Sequence, residues 1–336
     1  MSSTSSWIST LVVAGAMNAS FTMPMKYTRK WAWENTWLAW TIFALVALPL
    51  GVALATIPNL PMVYRAATPE IIVKVCGFGV GWGIAQVFFG LAVDMIGVTL
   101  AFSVVLGTSA ALGSLIPLMY LHRDRLNSRA GHTVLGAIAF VLLGVALCAV
   151  AGRMREGTSA LFHSSRQQTS RGLLLAVLCG LGASFMNFGV AFGTPLVQIA
   201  SSFGASALNA INAVWLPLML AGAVPNLLYC AWLMKRNHSG DRYREERWYW
   251  VLAAIMAIFW FVSTLLYGLA AGQLGAWGSI LGWPLFMSLI VIIATLLGMF
   301  TGEWKDCGPL PIRIQWTGVF VLVLAICILA GSTRYL

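Results

Sequence analysis

Two amide side chains, Asn18 and Asn187, stand in the middle of apolar runs, and a third, Gln86, follows Trp82 by four residues. Trp260 and Thr264 repeat that spacing later in the chain. Residues four apart share a helix face, so each pair would point the same way. An indole ring packs against C–H faces, and an amide supplies both hydrogen-bond donors and an acceptor. Sugars call for that combination. Tyr267 and Trp283 extend the aromatic set within the same apolar runs. Asn18, Trp82, Gln86, Asn187, Trp260, Tyr267 and Trp283 are therefore the candidate substrate-binding residues. The blander alternative is that the amides bridge helices and the indoles pack at an interface.

Carboxylates near these runs are few. A carrier coupled to protons needs a group whose protonation depends on which side is open, and a partly buried carboxylate would serve. Glu34 and Asp94 are the candidate proton-coupling residues, with ordinary helix-end charges as the alternative reading for both. His122, His132, His163 and His238 fall in or beside loops, so no buried histidine relay is expected. The chain contains no GxSxG, HExxH or P-loop lysine motif, so neither an enzyme nor an ATP-driven pump is expected. Of the six cysteines, five lie in apolar runs and none forms a CxxC pair. No metal site, disulfide framework or organic cofactor is expected; the proton is the one coupling partner.

The elements that must position these residues follow from composition. Of 336 residues, 60% are hydrophobic and only 9% charged, with a mean hydropathy of +0.85. A soluble domain carries about 25% charged residues, so the partner for most side chains is a lipid bilayer. The net charge of +10 reads as loop anchors at a membrane surface, with no nucleic-acid partner. Ten runs approach the length of about 20 residues that a spanning helix needs: 7–25, 37–57, 71–93, 98–121, 133–151, 172–193, 207–234, 248–271, 277–300 and 314–331. Fourteen of the twenty Lys and Arg fall on the side holding the 26–30, 152–171 and 235–247 connections, and five on the other. That bias predicts a cytoplasmic location for the richer side and periplasmic termini.

The ending of the third run recurs. Trp82, Phe89, Gly90, Leu91, Ala92 and Gly97 have counterparts at Trp260, Tyr267, Gly268, Leu269, Ala270 and Gly275, at a constant offset of 178. Ala19-Ser20-Phe21 recurs as Ala183-Ser184-Phe185. The expected architecture is an all-α membrane protein of ten transmembrane helices in two five-helix repeats, 1–151 and 172–336, joined by a cytoplasmic linker, 152–171. Five is odd, so the second repeat must insert upside down, with the substrate site near the midplane where the repeats meet.

Several segments resemble the L-rhamnose–proton symporter family of the drug/metabolite transporter superfamily. One is Pro24-Met25-Lys26 followed by Lys30-Trp31-Ala32-Trp33-Glu34; the family has a similar basic cluster running into K-W-x-W-E. Phe78-Gly79, Trp82-Gly83-Ile84 and Gly90-Leu91 resemble its F-G-x-x-W-G-I…G-L. Gly172-Leu173-Leu174-Leu175-Ala176-Val177 with Cys179-Gly180, and Glu303-Trp304, are further matches. The resemblance implies a ten-helix, drug/metabolite transporter-like carrier in a bacterial inner membrane, importing a deoxy-sugar with a proton. It supports Lys26, Trp31, Trp33, Glu34, Trp82 and Gly90 as family positions; the family often has Asn where Gln86 stands. On the residues alone two other readings stay open: an exporter of amino acids or drugs on the same fold, and a membrane scaffold or sensor.

Overall fold

The structure, a computed structural model, describes residues 2–96, 98–156, 166–302, 304–305 and 307–332. Fourteen α-helices and no strand occur among them. They are α1 (Ser2–Ser20), α2 (Trp33–Thr41), α3 (Leu48–Thr56), α4 (Leu60–Ala66) and α5 (Pro69–Ile96). There follow α6 (Val98–Leu121), α7 (Arg129–Glu156), α8 (Arg166–Ala183), α9 (Phe185–Phe192) and α10 (Thr194–Ser202). The last four are α11 (Asn212–Asn237), α12 (Tyr249–Gln273), α13 (Trp283–Phe300) and α14 (Pro309–Ser332). Ten stretches are long and apolar enough to cross a membrane, starting at Trp7, Trp33, Pro69, Leu100, Arg129, Thr169, Asn212, Tyr249, Gly278 and Pro309. They match the ten expected runs to within a few residues at most ends. Helices are the form that lets such runs pair their backbone groups internally.

The helices are interrupted where sequence chemistry demands it. Proline lacks an N–H and its ring crowds the carbonyl four residues back. Pro49 and Pro284 each follow a widened π-helical stretch, Ile42–Ala47 and Gly278–Gly282, which makes room for the ring. Pro217 lies inside α11 and frees the carbonyl of Ala213; the Tyr64 hydroxyl donates to that oxygen at 3.0 Å. The run 172–193, expected as one helix, is broken. Ser184 separates α8 from α9, and Gly193 separates α9 from α10. The Ser184 hydroxyl donates to the helix carbonyl of Gly180 at 3.0 Å, competing with the backbone ladder. Pro195 stands in the first turn of α10, where its missing N–H is tolerated but cannot continue the ladder from α9 across Gly193, and the Thr194 hydroxyl donates to the Ala191 carbonyl instead at 3.0 Å.

The chain forms two compact units, each discontinuous in sequence. The first comprises 1–84 and 185–272. Here α11 packs against α2 and α3, and α10 against α4 and α11. Glycines let α5 close on α11. A Cβ on Gly83 would collide with the carbonyl of Gly222, and one on Gly222 would lie 2.8 Å from the Trp82 ring. The second unit comprises 85–184 and 273–336. Its centre is α7 against α14, with α6 against α7 and α8. Gly144 and Gly318 face each other across the first of these contacts, where a Cβ on either would lie about 3 Å from the other's carbonyl oxygen. Small residues at such a seam are the usual means of close packing between membrane helices.

Candidate functional site

In the first unit the polar chemistry is gathered on one face of α12. Trp260, Ser263, Thr264 and Tyr267 follow the i, i+3, i+4, i+7 spacing of a single helix face, and all four are buried. Ser263 Oγ accepts from Asn18 Nδ2 at 3.2 Å. The Tyr267 hydroxyl donates to Asn187 Oδ1. Thr264 returns its hydroxyl to the carbonyl of Trp260 at 2.9 Å. The helix thus takes one amide from α1 and one from α9 at successive turns.

Trp260 also carries the aromatic part of the site. Its ring stacks on Trp82 with centroids 5.6 Å apart and planes 29° from parallel. These are the two tryptophans related by the constant sequence offset. Trp40 meets Trp260 edge-on at 5.3 Å, Trp37 lies against Trp40 at 4.5 Å, and Trp33 stacks on Trp37 at 5.3 Å. Positions 33, 37 and 40 share one face of α2. A row of indoles therefore leads from exposed Trp33 to buried Trp82. It is held by Asn226, which accepts from Trp37 Nε1 at 3.1 Å and donates to the Gly222 carbonyl at 2.9 Å. None of these contacting side chains is ionisable.

Glu34 has a different setting. The residue is 4% exposed, and its carboxylate accepts from Ser239 Oγ at 2.7 Å and Asn237 Nδ2 at 3.0 Å. Asn35 Nδ2 donates to the Ser239 carbonyl at 3.0 Å, and the Tyr243 hydroxyl to the Asn35 carbonyl at 3.0 Å. Lys30 pairs with Glu246 at 2.5 Å. Trp31 packs edge-on against Tyr243, Tyr249 and Trp250. The 30–35 segment is thus fastened to the connection between α11 and α12. Burial pushes the Tyr243 phenol up to about 12, so it stays a donor. Trp33 and Trp248 are exposed, as interface anchors should be, whereas Trp31 is core.

Of the seven expected binding residues, five lie in the first unit: Asn18, Trp82, Asn187, Trp260 and Tyr267. The structure brings Asn187 to Tyr267 and Trp82 to Trp260, and pairs Asn18 with Ser263. Gln86 and Trp283 belong to the second unit. Gln86 is half-buried there. Trp283 Nε1 donates to Ser109, at 3.0 Å to the carbonyl and 3.2 Å to the hydroxyl. The side chain of Asp94 and all of Glu303 lie outside the described residues, as does 157–165 of the expected linker. Sequence reasoning missed Trp40, Ser263 and Asn226. The i+3 spacing from Trp260 was the available signal for Ser263.

Ten apolar helices with large apolar side chains such as Phe300, Val73 and Leu228 turned outward define a polytopic membrane protein. A family model described as L-rhamnose-proton symport protein (RhaT) matches residues 4–333. The chain belongs to that family, which is one of transporters rather than enzymes. It is 27% identical over 322 residues to an L-rhamnose-proton symporter of Mannheimia succiniciproducens, covering 93% of each chain. It is 24% identical over 323 residues to an L-rhamnose-proton symporter of Escherichia coli O17:K52:H18, covering 94% of each. A protein of the same description from Shigella boydii serotype 18 matches at 24% identity. The resemblance carried by the K-W-x-W-E and F-G-x-x-W-G-I segments is therefore one of family membership.

Proposed function

We propose that this chain is a secondary active transporter that imports L-rhamnose or a related monosaccharide with a proton. The observation that carries this is the uncharged cluster of stacked indoles and amide–hydroxyl pairs in a member of the rhamnose–proton symport family. An amino-acid exporter would need charged partners for its substrate, and that cluster has none. The substrate-contacting residues of the first unit are Asn18, Trp82, Asn187, Trp260 and Tyr267. Transport proceeds by alternating access between two inverted five-helix repeats, 1–151 and 172–336, of the drug/metabolite transporter kind, connected by 152–171. The location is the bacterial inner membrane with both termini periplasmic.

Glu34 is the proposed coupling residue. Its carboxylate accepts two of the four hydrogen bonds that tie α2 to the end of α11 and the α11–α12 connection. Protonation would remove accepting capacity and loosen that tie, linking proton binding to movement at this end of the bundle. Asp94 is the second candidate. Uptake of labelled L-rhamnose into proteoliposomes is the test. Accumulation that collapses with a protonophore, and is lost in Trp82→Ala, is the expected result. Accumulation indifferent to the proton gradient would reject the coupling; no sugar movement at all would reject the whole reading.

A further inference from the structure

We infer that Trp40 donates a hydrogen bond to a hydroxyl of the transported sugar. The inference rests on the chain being a sugar carrier. Trp40 is 1% exposed, and its indole Nε1 has no hydrogen-bond partner among the described residues. Buried donors are nearly always paired. Four nearby donors are already committed: Trp37 to Asn226, Asn226 to Gly222, Asn18 to Ser263, and Thr264 to Trp260. The next residue repeats the anomaly, since Thr41 Oγ1 is 0% exposed and also lacks a partner. The two precede the π-helical stretch Ile42–Ala47, a local widening that often marks functional positions.

The chemistry of the pair fits a neutral polyol. An indole N–H can only donate, so the ligand must offer an acceptor oxygen; a threonine hydroxyl can donate or accept. The Trp40 ring stands edge-on to Trp260, which stacks on Trp82. A sugar entering this row would lay its C–H face on one indole and present a hydroxyl to another. With Trp40 almost fully covered, that contact forms only after the Trp82–Trp260 stack parts. Trp40 then reads one particular hydroxyl and so sets specificity.

The test is uptake by the full chain in proteoliposomes, wild type against Trp40→Phe, with L-rhamnose and its monodeoxy analogues. The variant keeps an aromatic ring and loses the N–H. We expect its KM for L-rhamnose to rise about five- to tenfold, the effect of one neutral hydrogen bond, with kcat little changed. One monodeoxy analogue, lacking the hydroxyl read by Trp40, should show the same KM in both proteins. An unchanged KM, as when the indole is held by water only, overturns the inference. So does a rise of equal factor for every analogue, which marks a packing role. In both outcomes wild-type uptake still upholds the sugar-carrier reading, whereas a wild type that moves no sugar removes both. If phenylalanine prevents folding, benzothienylalanine at position 40 replaces N–H by sulfur at nearly equal shape and gives the same comparison.

Discussion

Lys30, Trp31 and Glu34, all within the five-residue segment that resembles K-W-x-W-E, share one structural task. Each fastens the start of α2 to the 237–250 segment by a different interaction: an ion pair, an aromatic cluster and a buried carboxylate. The ion pair has a readable pH dependence. The hydrogen bond and charge of Lys30 hold the Glu246 carboxyl below its ordinary range, and Glu246 holds Lys30 above its own. A depressed carboxyl stabilises the fold above its unfolded value and stops doing so as pH falls through its folded value. A raised lysine stabilises below its unfolded value and stops as pH rises through its folded value. The window is therefore the broad neutral range between them. Lys30→Ala should lower the melting temperature in detergent at neutral pH. The difference should shrink below the carboxylate range and in about 1 M salt, where exposed pairs are screened. A difference that is flat across pH would mean that Lys30 acts through packing.

The elements show how far local chemistry could be read ahead. Ten spans were legible because each must hide its backbone from lipid along about 20 residues. The breaks within them were less so. Ser184 and Gly193 look like ordinary small helix residues until a hydroxyl–carbonyl bond and a following proline single them out. Pro217 raised a question the sequence could not answer: what takes the carbonyl it frees. The partner is Tyr64, 149 positions away in the chain. Tyr64→Phe should leave the Ala213 oxygen unpaired and cost about 1–3 kcal/mol, seen as a lower melting temperature without change in helix content. The glycine contact between α5 and α11 gives a sharper case. Gly83→Leu would force the two helices apart where Trp82 rests on Gly222. Sugar uptake should fall further than in Tyr64→Phe, although position 83 carries no polar group.

Across the whole molecule, the repeat offset led directly to Trp82 and Trp260, which do touch. It could not lead to Trp40, because position 218, at the same offset, holds leucine. What periodicity and repeats expose is what the two halves have in common; what makes them differ stays hidden until contacts are seen. The proposed orientation is open to a direct check. On a cysteine-free background, Asn59→Cys should react with an impermeant thiol reagent added to intact spheroplasts, and Asp241→Cys only after the membrane is opened. The reverse pattern would invert the proposed topology. The discontinuity of the two compact units carries a consequence for biogenesis. A ribosome that has finished residue 84 has made only part of the first unit, and roughly a hundred residues of the other (Ala85–Ser184) must emerge before the remainder begins. Nascent α1 to α4 must therefore wait in the translocon's surroundings without α11 and α12. A chain released at residue 184 should be a substrate for membrane proteases rather than a stable half-protein.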